Sequence, residues 1–520
     1  MLSILSGILL SIVYPPLDFG VLSFVALIPL LLVLDRSNSL ESLLWGYLTG
    51  VILAGSFFYP LMAIDRFPVT GYVVIILLCG VFLGAFSVLY SQVISKRIWP
   101  PVIVAPALWV AIEFLRANIS FLSNPGYLLG YSLHNYPSLI QVASVTSVYG
   151  VSFMIVFING MIAEILLYRS KRENTKSLWT ITNKWFFIRI AASFMIFFII
   201  LGFGLLELKK DGQKSMPGSK IGLIQINISR EESNKQELKT SIMSKYQELT
   251  AKAAVDGIDL IVWPESSTPT HFTMDPDMYD QVTELVQSIK VPLVLGSSSR
   301  DKSGQRALPG VRLNNSAFLI NPDGEIETHY KTIRLVPFWE FLPLEQIFQW
   351  PKWLVPDRGY TLPGEKAVIF NIKEHRFGVV ICWEVLFPDT FRRFTRKNPD
   401  FMLNLSNENV FGWTAAPYKV QAMAVFRAVE SRKSLLRCNL TGLTSHIDPW
   451  GRETARVTDA NGDDLMVQGY LTVGVPIMAE ITFYTKYGDV FAYLCIAWSS
   501  FMLGYALVLH IRGNPDKEKN

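Results

Sequence analysis

Charge is scarce in this 520-residue chain: 17% of its residues are Asp, Glu, Lys or Arg, against about 25% in a typical soluble domain. That shortage argues against a soluble globular protein along the whole length. Neither sign of charge dominates. Lys and Arg number 47 against 43 Asp and Glu, a formal net charge of +4, so nothing favours nucleic acid as a partner. Cysteine is limited to Cys79, Cys382, Cys438 and Cys495. No C-x-x-C pair or similar spacing exists among them, which argues against a cysteine zinc site. Neither a metal nor a cofactor is expected. Cys79 and Cys495 sit in apolar runs and read as small hydrophobes. The first apolar run lacks a basic segment before it and is followed by others, so it is expected to be a retained helix rather than a cleaved signal.

What the chain has in quantity is apolar runs. Half of its residues are apolar and its mean hydropathy is +0.31. Candidate membrane helices cover residues 2–13, 21–34, 43–61, 71–94, 101–115, 142–167, 188–206 and 490–510. Several are long enough to cross ~30 Å of hydrocarbon at about 1.5 Å per residue. The first two are short and flank Pro15-Pro16, so a re-entrant hairpin is the alternative to two spans. Eight spans are expected, with seven or six left open. The expected division is a transmembrane bundle of about seven helices over residues 1–208, a catalytic domain over 209–486, and a last helix with a tail over 487–520.

With the N-terminus inside the cytoplasm, the inner loops and tail hold eleven basic residues: Arg36, Lys96, Arg97, Arg169, Lys171, Arg172, Lys176, Lys184, Arg512, Lys517 and Lys519. The outer short loops hold Arg66 and Arg116. Basic residues concentrate on the cytoplasmic side of membrane proteins. The bias therefore places residues 209–486 outside the cytoplasm. That segment differs in texture. Apolar runs of four to six residues, such as 221–226, 260–263, 291–295, 316–320, 367–370, 378–382 and 401–405, alternate with helix-like stretches. Buried strands in a soluble α/β domain have this pattern.

Three short motifs in this segment carry chemistry. In Leu260-Ile261-Val262-Trp263-Pro264-Glu265 an apolar strand ends and a carboxylate follows at its C-terminal edge, where ligand sites in α/β sheets concentrate. In His329-Tyr330-Lys331 a lysine leads into an apolar segment. In Phe377-Gly378-Val379-Val380-Ile381-Cys382-Trp383-Glu384 a buried strand delivers a cysteine to a strand-to-helix elbow, where the next backbone N–H can face a developing oxyanion. Taken singly, each has a bland reading: a loop glutamate, a surface lysine, a buried cysteine.

Together, in this order, the motifs resemble the nitrilase (carbon–nitrogen hydrolase) superfamily over roughly residues 220–479. Asn315-Ser316-Ala317-Phe318, Asn404-Leu405-Ser406-Asn407 and Arg427-Ala428-Val429-Glu430 support the match. A nitrilase-like domain set between a multi-span bundle and a last helix resembles the apolipoprotein N-acyltransferase family. So does Leu335-Val336-Pro337-Phe338-Trp339-Glu340-Phe341-Leu342-Pro343-Leu344, which is similar to the family's L-V-P-F-G-E-Y-V-P-L. Trp339 and Phe341 depart from the glycine and tyrosine of that pattern. Asn234 stands where the family commonly has a substrate-contacting tryptophan, and Glu408-Asn409-Val410-Phe411-Gly412 where it has D-A-W-F-G.

The resemblance implies an αββα catalytic domain on a helical membrane bundle, with Glu265, Lys331 and Cys382 as catalytic residues. It implies support from Trp383, Glu340 and Glu384, and a lid containing Phe338, Trp339 and Phe341. Phe348, Trp350 and Trp353 extend the lid's aromatic group, expected to dip into the membrane interface. The implied reaction moves an acyl chain from a phospholipid, with phosphatidylethanolamine the expected donor, through a Cys382 thioester. The acceptor is the N-terminal amine of a diacylated lipoprotein, at the bacterial inner membrane with the domain in the periplasm. A monomer is the default expectation. A membrane-tethered amidase or nitrilase, with water as acceptor, shares the triad, but a soluble amide needs no multi-helix platform. A non-catalytic receptor would not need the intact triad.

Overall fold

The computed structural model describes all residues except 66, 120–122, 175–181, 211–215, 234, 301–312, 352–360 and 512–520. Arg66, Lys176, Asn234, Trp353, Arg512, Lys517 and Lys519 therefore lie outside the described residues. The chain forms two compact units. One comprises Met1–Tyr59, Val69–Lys209 and Tyr487–Asn520, the other Pro60–Pro68 and Lys210–Lys486.

The first unit is helical. Helices α1 (Leu2–Ile12) and α2 (Gly20–Leu34) are followed by α3 (Ser39–Phe58), α4 (Val69–Ile94), α5 (Pro101–Asn118), α6 (Ala143–Tyr168) and α7 (Phe186–Lys209), and Val490–Ile511 closes the unit. The last six, among the described residues, are long and apolar enough to cross a membrane. This corrects the expectation of eight spans. The 11 residues of α1 reach only about 17 Å at 1.5 Å per residue, short of ~30 Å of hydrocarbon. Instead α1 and α2 pack together. Leu30 N donates to Ser6 Oγ at 2.9 Å, and Thr49 Oγ1 of α3 donates to Ser3 O at 3.0 Å.

Small residues let α3 and α4 approach closely. Gly50 faces Gly80, where a Cβ would stand 2.9 Å from Gly80 Cα, and Gly46 faces Ser87 and the Leu83 carbonyl. Such small-xxx-small seams are how helices pack where no water drives association. The α5 window is 72% buried and α7 only 11%, so α5 is central to the bundle and α7 offers its apolar surface outward. Arg116, expected in a short loop, is instead buried in the last turn of α5 and donates to Asn124 O and Tyr127 O, both at 3.2 Å.

Among the described residues the second unit holds twelve strands: β1 (Met216–Gln225), β2 (Leu260–Val262), β3 (Leu293–Arg300), β4 (Leu313–Ile320), β5 (Ile326–Lys331), β6 (Ile369–Ile372), β7 (His375–Ile381), β8 (Phe401–Ser406), β9 (Ser434–Asn439), β10 (Ser445–Ile447), β11 (Glu453–Arg456) and β12 (Gly469–Ile477). They form two six-stranded sheets, ordered β12-β1-β2-β3-β4-β5 and β11-β10-β9-β8-β7-β6. Helices α8 (Lys239–Ala254) and α9 (Pro276–Ile289) cover the first sheet. Helices α10 (Pro388–Thr395) and α11 (Ala416–Ser431) cover the second. The result is an αββα sandwich. Its first core packs Ile242, Met243, Tyr246, Val282 and Val286 of the helices against Ile261, Leu293 and Leu295 of the sheet.

Cys438 sits between the sheets. Its thiol on β9 is fully buried and donates to Ile224 O and Val262 O of the facing sheet at 3.4 and 3.3 Å. Strands β1–β3 are parallel to one another, as are β7–β9. The crossover helices thus bring the C-terminal ends of β2 and β3 to one edge of their sheet. Two antiparallel reversals return β5 to the same direction, so its last residue, Lys331, reaches that edge as well.

Candidate active site

Glu265 follows β2 on a loop held from both sides. The Trp263 ring stacks on Tyr246 with centroids 4.2 Å apart, and its Nε1 donates to Thr250 Oγ1 at 3.0 Å. Gly296 on β3 donates its N–H to Pro264 O at 3.2 Å and accepts from Ser267 N at 2.9 Å. A Cβ there would lie 2.7 Å from Glu265 Cα and 2.7 Å from Pro264 O. These are backbone atoms that cannot step aside, so the close approach requires glycine. The Glu265 carboxylate is buried and accepts from Asn315 Nδ2 at 2.6 Å.

Cys382 ends β7 and opens a 3-10 turn, Cys382–Leu386. Its φ is +52°, a left-handed conformation that costs a non-glycine residue about 1–2 kcal/mol and marks functional sites. The residue is half-buried, and its thiol lies within the field of the Glu265 carboxylate. The two residues come from different sheets.

Burial pushes the Glu265 carboxyl above its ordinary range, opposed by the neighbouring Cys382 thiol and the bond from Asn315. Burial also pushes the Cys382 thiol well up, and the nearby carboxylates of Glu265, Glu340 and Glu408 add to that. The resting cysteine is therefore a thiol. A carboxylate made more basic by desolvation is suited to take the thiol proton as attack occurs.

Lys331 closes β5, paired with Ser316 of β4. Its backbone is fixed by its neighbours. Tyr330 Oη donates to Glu384 Oε1 at 2.7 Å, and the N–H groups of Ile333 and Arg334 donate to the same oxygen at 2.8 and 3.1 Å. The other oxygen, Oε2, accepts from Ile381 N at 2.8 Å. Glu384 is fully buried. One carboxylate thus ties the residue before the cysteine to the segments flanking the lysine. The structure gives Glu384 this positioning duty. The Trp383 indole turns toward Phe387, with centroids 6.2 Å apart.

Glu340 lies on the segment after Lys331. Its Oε2 accepts from Val336 N at 2.7 Å. Burial, then the fields of Glu265 and Glu384, raise its pKa to about 7. The segment folds back on itself: Phe338 N donates to Phe341 O at 2.8 Å, and Trp339 N to Val336 O at 3.2 Å. Phe338 packs edge-on against Trp350 at 4.9 Å, and Trp350 against Phe348 at 4.8 Å. Trp350 Nε1 donates to Pro343 O at 2.6 Å. Beyond this stack Leu344, Phe348 and above all Ile347, 82% exposed, face outward. Phe338, Trp339 and Phe341 are each half-buried.

The site's geometry brings Glu265 and Cys382 together and sets Glu340 within their field. The motif reading missed Tyr330 and the buried Glu408–Arg437 ion pair at 2.6 Å. Asn315 and Asn404 stood only as supporting pieces. The signal for Asn315 was the polar run Asn314-Asn315-Ser316 leading into an apolar strand end.

Two family models match the chain. That described as the apolipoprotein N-acyltransferase N-terminal domain covers residues 6–161, and that described as carbon-nitrogen hydrolase covers residues 220–468. The chain belongs to the apolipoprotein N-acyltransferase family. The apolipoprotein N-acyltransferase of Geobacter metallireducens is 29% identical over 97% of this chain and 95% of that protein. Apolipoprotein N-acyltransferase 1 of Treponema denticola is 26% identical over 95% of this chain and 94% of that protein. Among solved structures, a mutant amidase of the nitrilase superfamily from Nesterenkonia AN1 is 16% identical with a TM-score of 0.38, covering 55% of this chain and 99% of its own. The chain is a multi-pass membrane protein of this family, with one nitrilase-like domain between its seventh and last apolar helices.

Proposed function

We propose that this protein is an N-acyltransferase that moves an acyl chain from a phospholipid, through a thioester on Cys382, to the N-terminal amine of diacylglyceryl-cysteine in lipoproteins. The observation that carries the reading is a Cys382 thiol set beside the buried Glu265 carboxylate, in a chain with, among the described residues, six helices suited to a membrane. Phosphatidylethanolamine is the proposed donor, and a monomer in the bacterial inner membrane, with Lys210–Lys486 in the periplasm, the proposed setting.

Glu265 takes the Cys382 proton as sulfur attacks the ester carbonyl. Lys331, with the Trp383 backbone N–H, balances the charge that develops on the carbonyl oxygen. When the ester C–O bond breaks, Glu265 returns its proton to the departing lysophospholipid alkoxide. The lipoprotein amine then attacks the thioester and loses a proton to Glu265. The C–S bond breaks, and Glu265 reprotonates the leaving thiolate. Both substrates carry long chains whose burial is worth about 0.8 kcal/mol per CH₂. Neither can be lifted into water at useful rates, which is why such an enzyme works at a membrane.

The test is incubation of the purified chain with phosphatidylethanolamine labelled in its acyl chains. A hydroxylamine-sensitive label on Cys382, discharged by a diacylated lipopeptide, is the expected result. A thioester discharged by water alone at the same rate would select the tethered hydrolase instead.

A further inference from the structure

Behind Cys382 lies a polar chain that the cycle above does not use. Asn404 on β8 is fully buried. Its Nδ2 donates to Cys382 O at 3.3 Å and Val380 O at 3.4 Å. Its Oδ1 accepts from Arg437 Nε on β9 at 3.2 Å. The Arg437 guanidinium is also fully buried. It donates through Nη1 to Gln421 Oε1 at 2.7 Å and through Nη2 to Glu408 Oε1 at 2.6 Å. Three acceptors are met by one planar fork, a geometry only arginine supplies. Gln421 is held in turn by Ser445 Oγ at 2.9 Å.

Such a pair is expensive. Burying two charges costs several kcal/mol each before their attraction repays it, and hydrophobic residues of similar volume would often serve stability as well. Its three partners orient it, and the only backbone it reaches through Asn404 belongs to β7 and the cysteine.

We propose that Arg437, held by Glu408 and Gln421, orients Asn404, and that Asn404 in turn fixes the peptide between Cys382 and Trp383 so that the Trp383 N–H is aimed at the oxyanion. In a trans peptide the carbonyl and the following N–H point in opposite directions. An amide that grips Cys382 O from one side therefore fixes the direction of the Trp383 N–H on the other. Cys382, at φ +52°, holds an unfavourable conformation, so the peptide needs such external support. The Glu408 carboxylate has a second effect, because its field raises both Glu265 and the Cys382 thiol. Arg437 offsets that charge while using it as an anchor. Asn404 and Arg437 are positioning residues, since they act through a peptide rather than on substrate.

The inference rests on acyl transfer at Cys382 but not on the identity of the donor. The test compares two reactions of the full-length protein in detergent. Acylation by a short-chain p-nitrophenyl ester passes through an oxyanion; alkylation by iodoacetamide needs the same thiolate but forms no oxyanion. Asn404→Ala should slow ester acylation by about tenfold or more, part of the ~10²-fold that one oxyanion donor supplies. Alkylation across pH should stay within about twofold, because the thiolate is left alone. Arg437→Lys keeps the charge but loses the fork, and should show the same split at smaller size. It makes the test if Asn404→Ala does not fold. Parallel loss of both reactions would mean a purely structural role, and unchanged acylation would mean that the peptide needs no such support. Either overturns the proposal. Should phospholipid fail as donor while the ester still acylates Cys382, the functional reading falls and this one stands.

Discussion

At the scale of single residues, Glu265, Lys331 and Cys382 are proposed to have different duties, and substitutions should separate them. Cys382→Ala should leave no covalent intermediate. Cys382→Ser should form at most a slow oxyester, since an alcohol is far less acidic than a thiol and a carboxylate is a weak base for it. Lys331→Ala should slow single-turnover acylation in mixed micelles by ~10²-fold or more, and Lys331→Arg should not rescue it, because a planar fork does not replace a compact ammonium. Glu265→Gln should slow both acylation and amine transfer. A Cys382→Ala protein that transferred acyl chains near the wild-type rate would sink the covalent mechanism. Glu340 adds a pH dependence. Its carboxyl titrates at about 7, and its charge raises the Cys382 thiol. Below that pH it is largely protonated and exerts little field; above it the ionised group disfavours the thiolate. Glu340→Gln should therefore alkylate like wild type at low pH and faster than wild type above about pH 7, where one carboxylate fewer opposes the thiolate. Coincident profiles throughout would refute the coupling. The three proposed residues could be picked out in the sequence because each sits at or beside the end of its own strand in a short motif. Tyr330 and Arg437 were not, since their partners Glu384 and Glu408 stand 54 and 29 residues away, a separation that only the fold closes.

At the scale of elements, the strands that could be read were the buried ones. All seven apolar runs noted in the sequence fall on strands, from β1 to β8. The exception in that stretch is β5 at a sheet edge, whose first four residues alternate half-buried and exposed before the buried Tyr330. Strands β9 and β10 escaped because their Arg437 and His446 look like surface residues until partners bury them, and β11 because its four residues stay half-buried or exposed. Helices α1 and α2 were over-read for the opposite reason. Composition alone marks a segment as apolar, and only length decides whether it spans. The Glu340 segment gives a prediction of its own. Leu344, Ile347 and Phe348 are exposed beyond a stack that could have buried them, which is costly in water and favourable in a bilayer interface. Replacing Leu344 and Ile347 together by serine should lower acylation from phospholipid vesicles by about tenfold or more, since the two apolar side chains together contribute at least ~1.4 kcal/mol when withdrawn from water. Acylation from the soluble ester should be unchanged. Equal losses on both donors would mean that these side chains shape the site rather than meet lipid.

At the scale of the whole molecule, sidedness follows from counting crossings. Two full spans or one short hairpin at the N-terminus return the chain to the side where it began, so the reassignment of α1 and α2 leaves the order of loops intact. The loops before α3 and between α4 and α5, which hold Arg36, Lys96 and Arg97, then share a side. In the proposed topology helix α7 leads out to Lys210–Lys486, and Val490–Ile511 brings the chain back. Burial of Arg116 within α5 removes one of the two basic residues counted on the outer side, which sharpens the bias. Lipid-linked substrates in the outer leaflet would then reach the site without crossing the bilayer. The prediction is that Lys252→Cys and Glu284→Cys, both at exposed positions of α8 and α9, react with an impermeant maleimide added to the periplasmic side of intact cells. Ser95→Cys, in the exposed turn after α4, should react only after the inner membrane is opened. Labelling of the two domain positions only after opening would invert the topology. It would also remove the outer-leaflet supply of both lipid substrates, because the positive-inside rule would then have failed on a chain with a strong basic asymmetry.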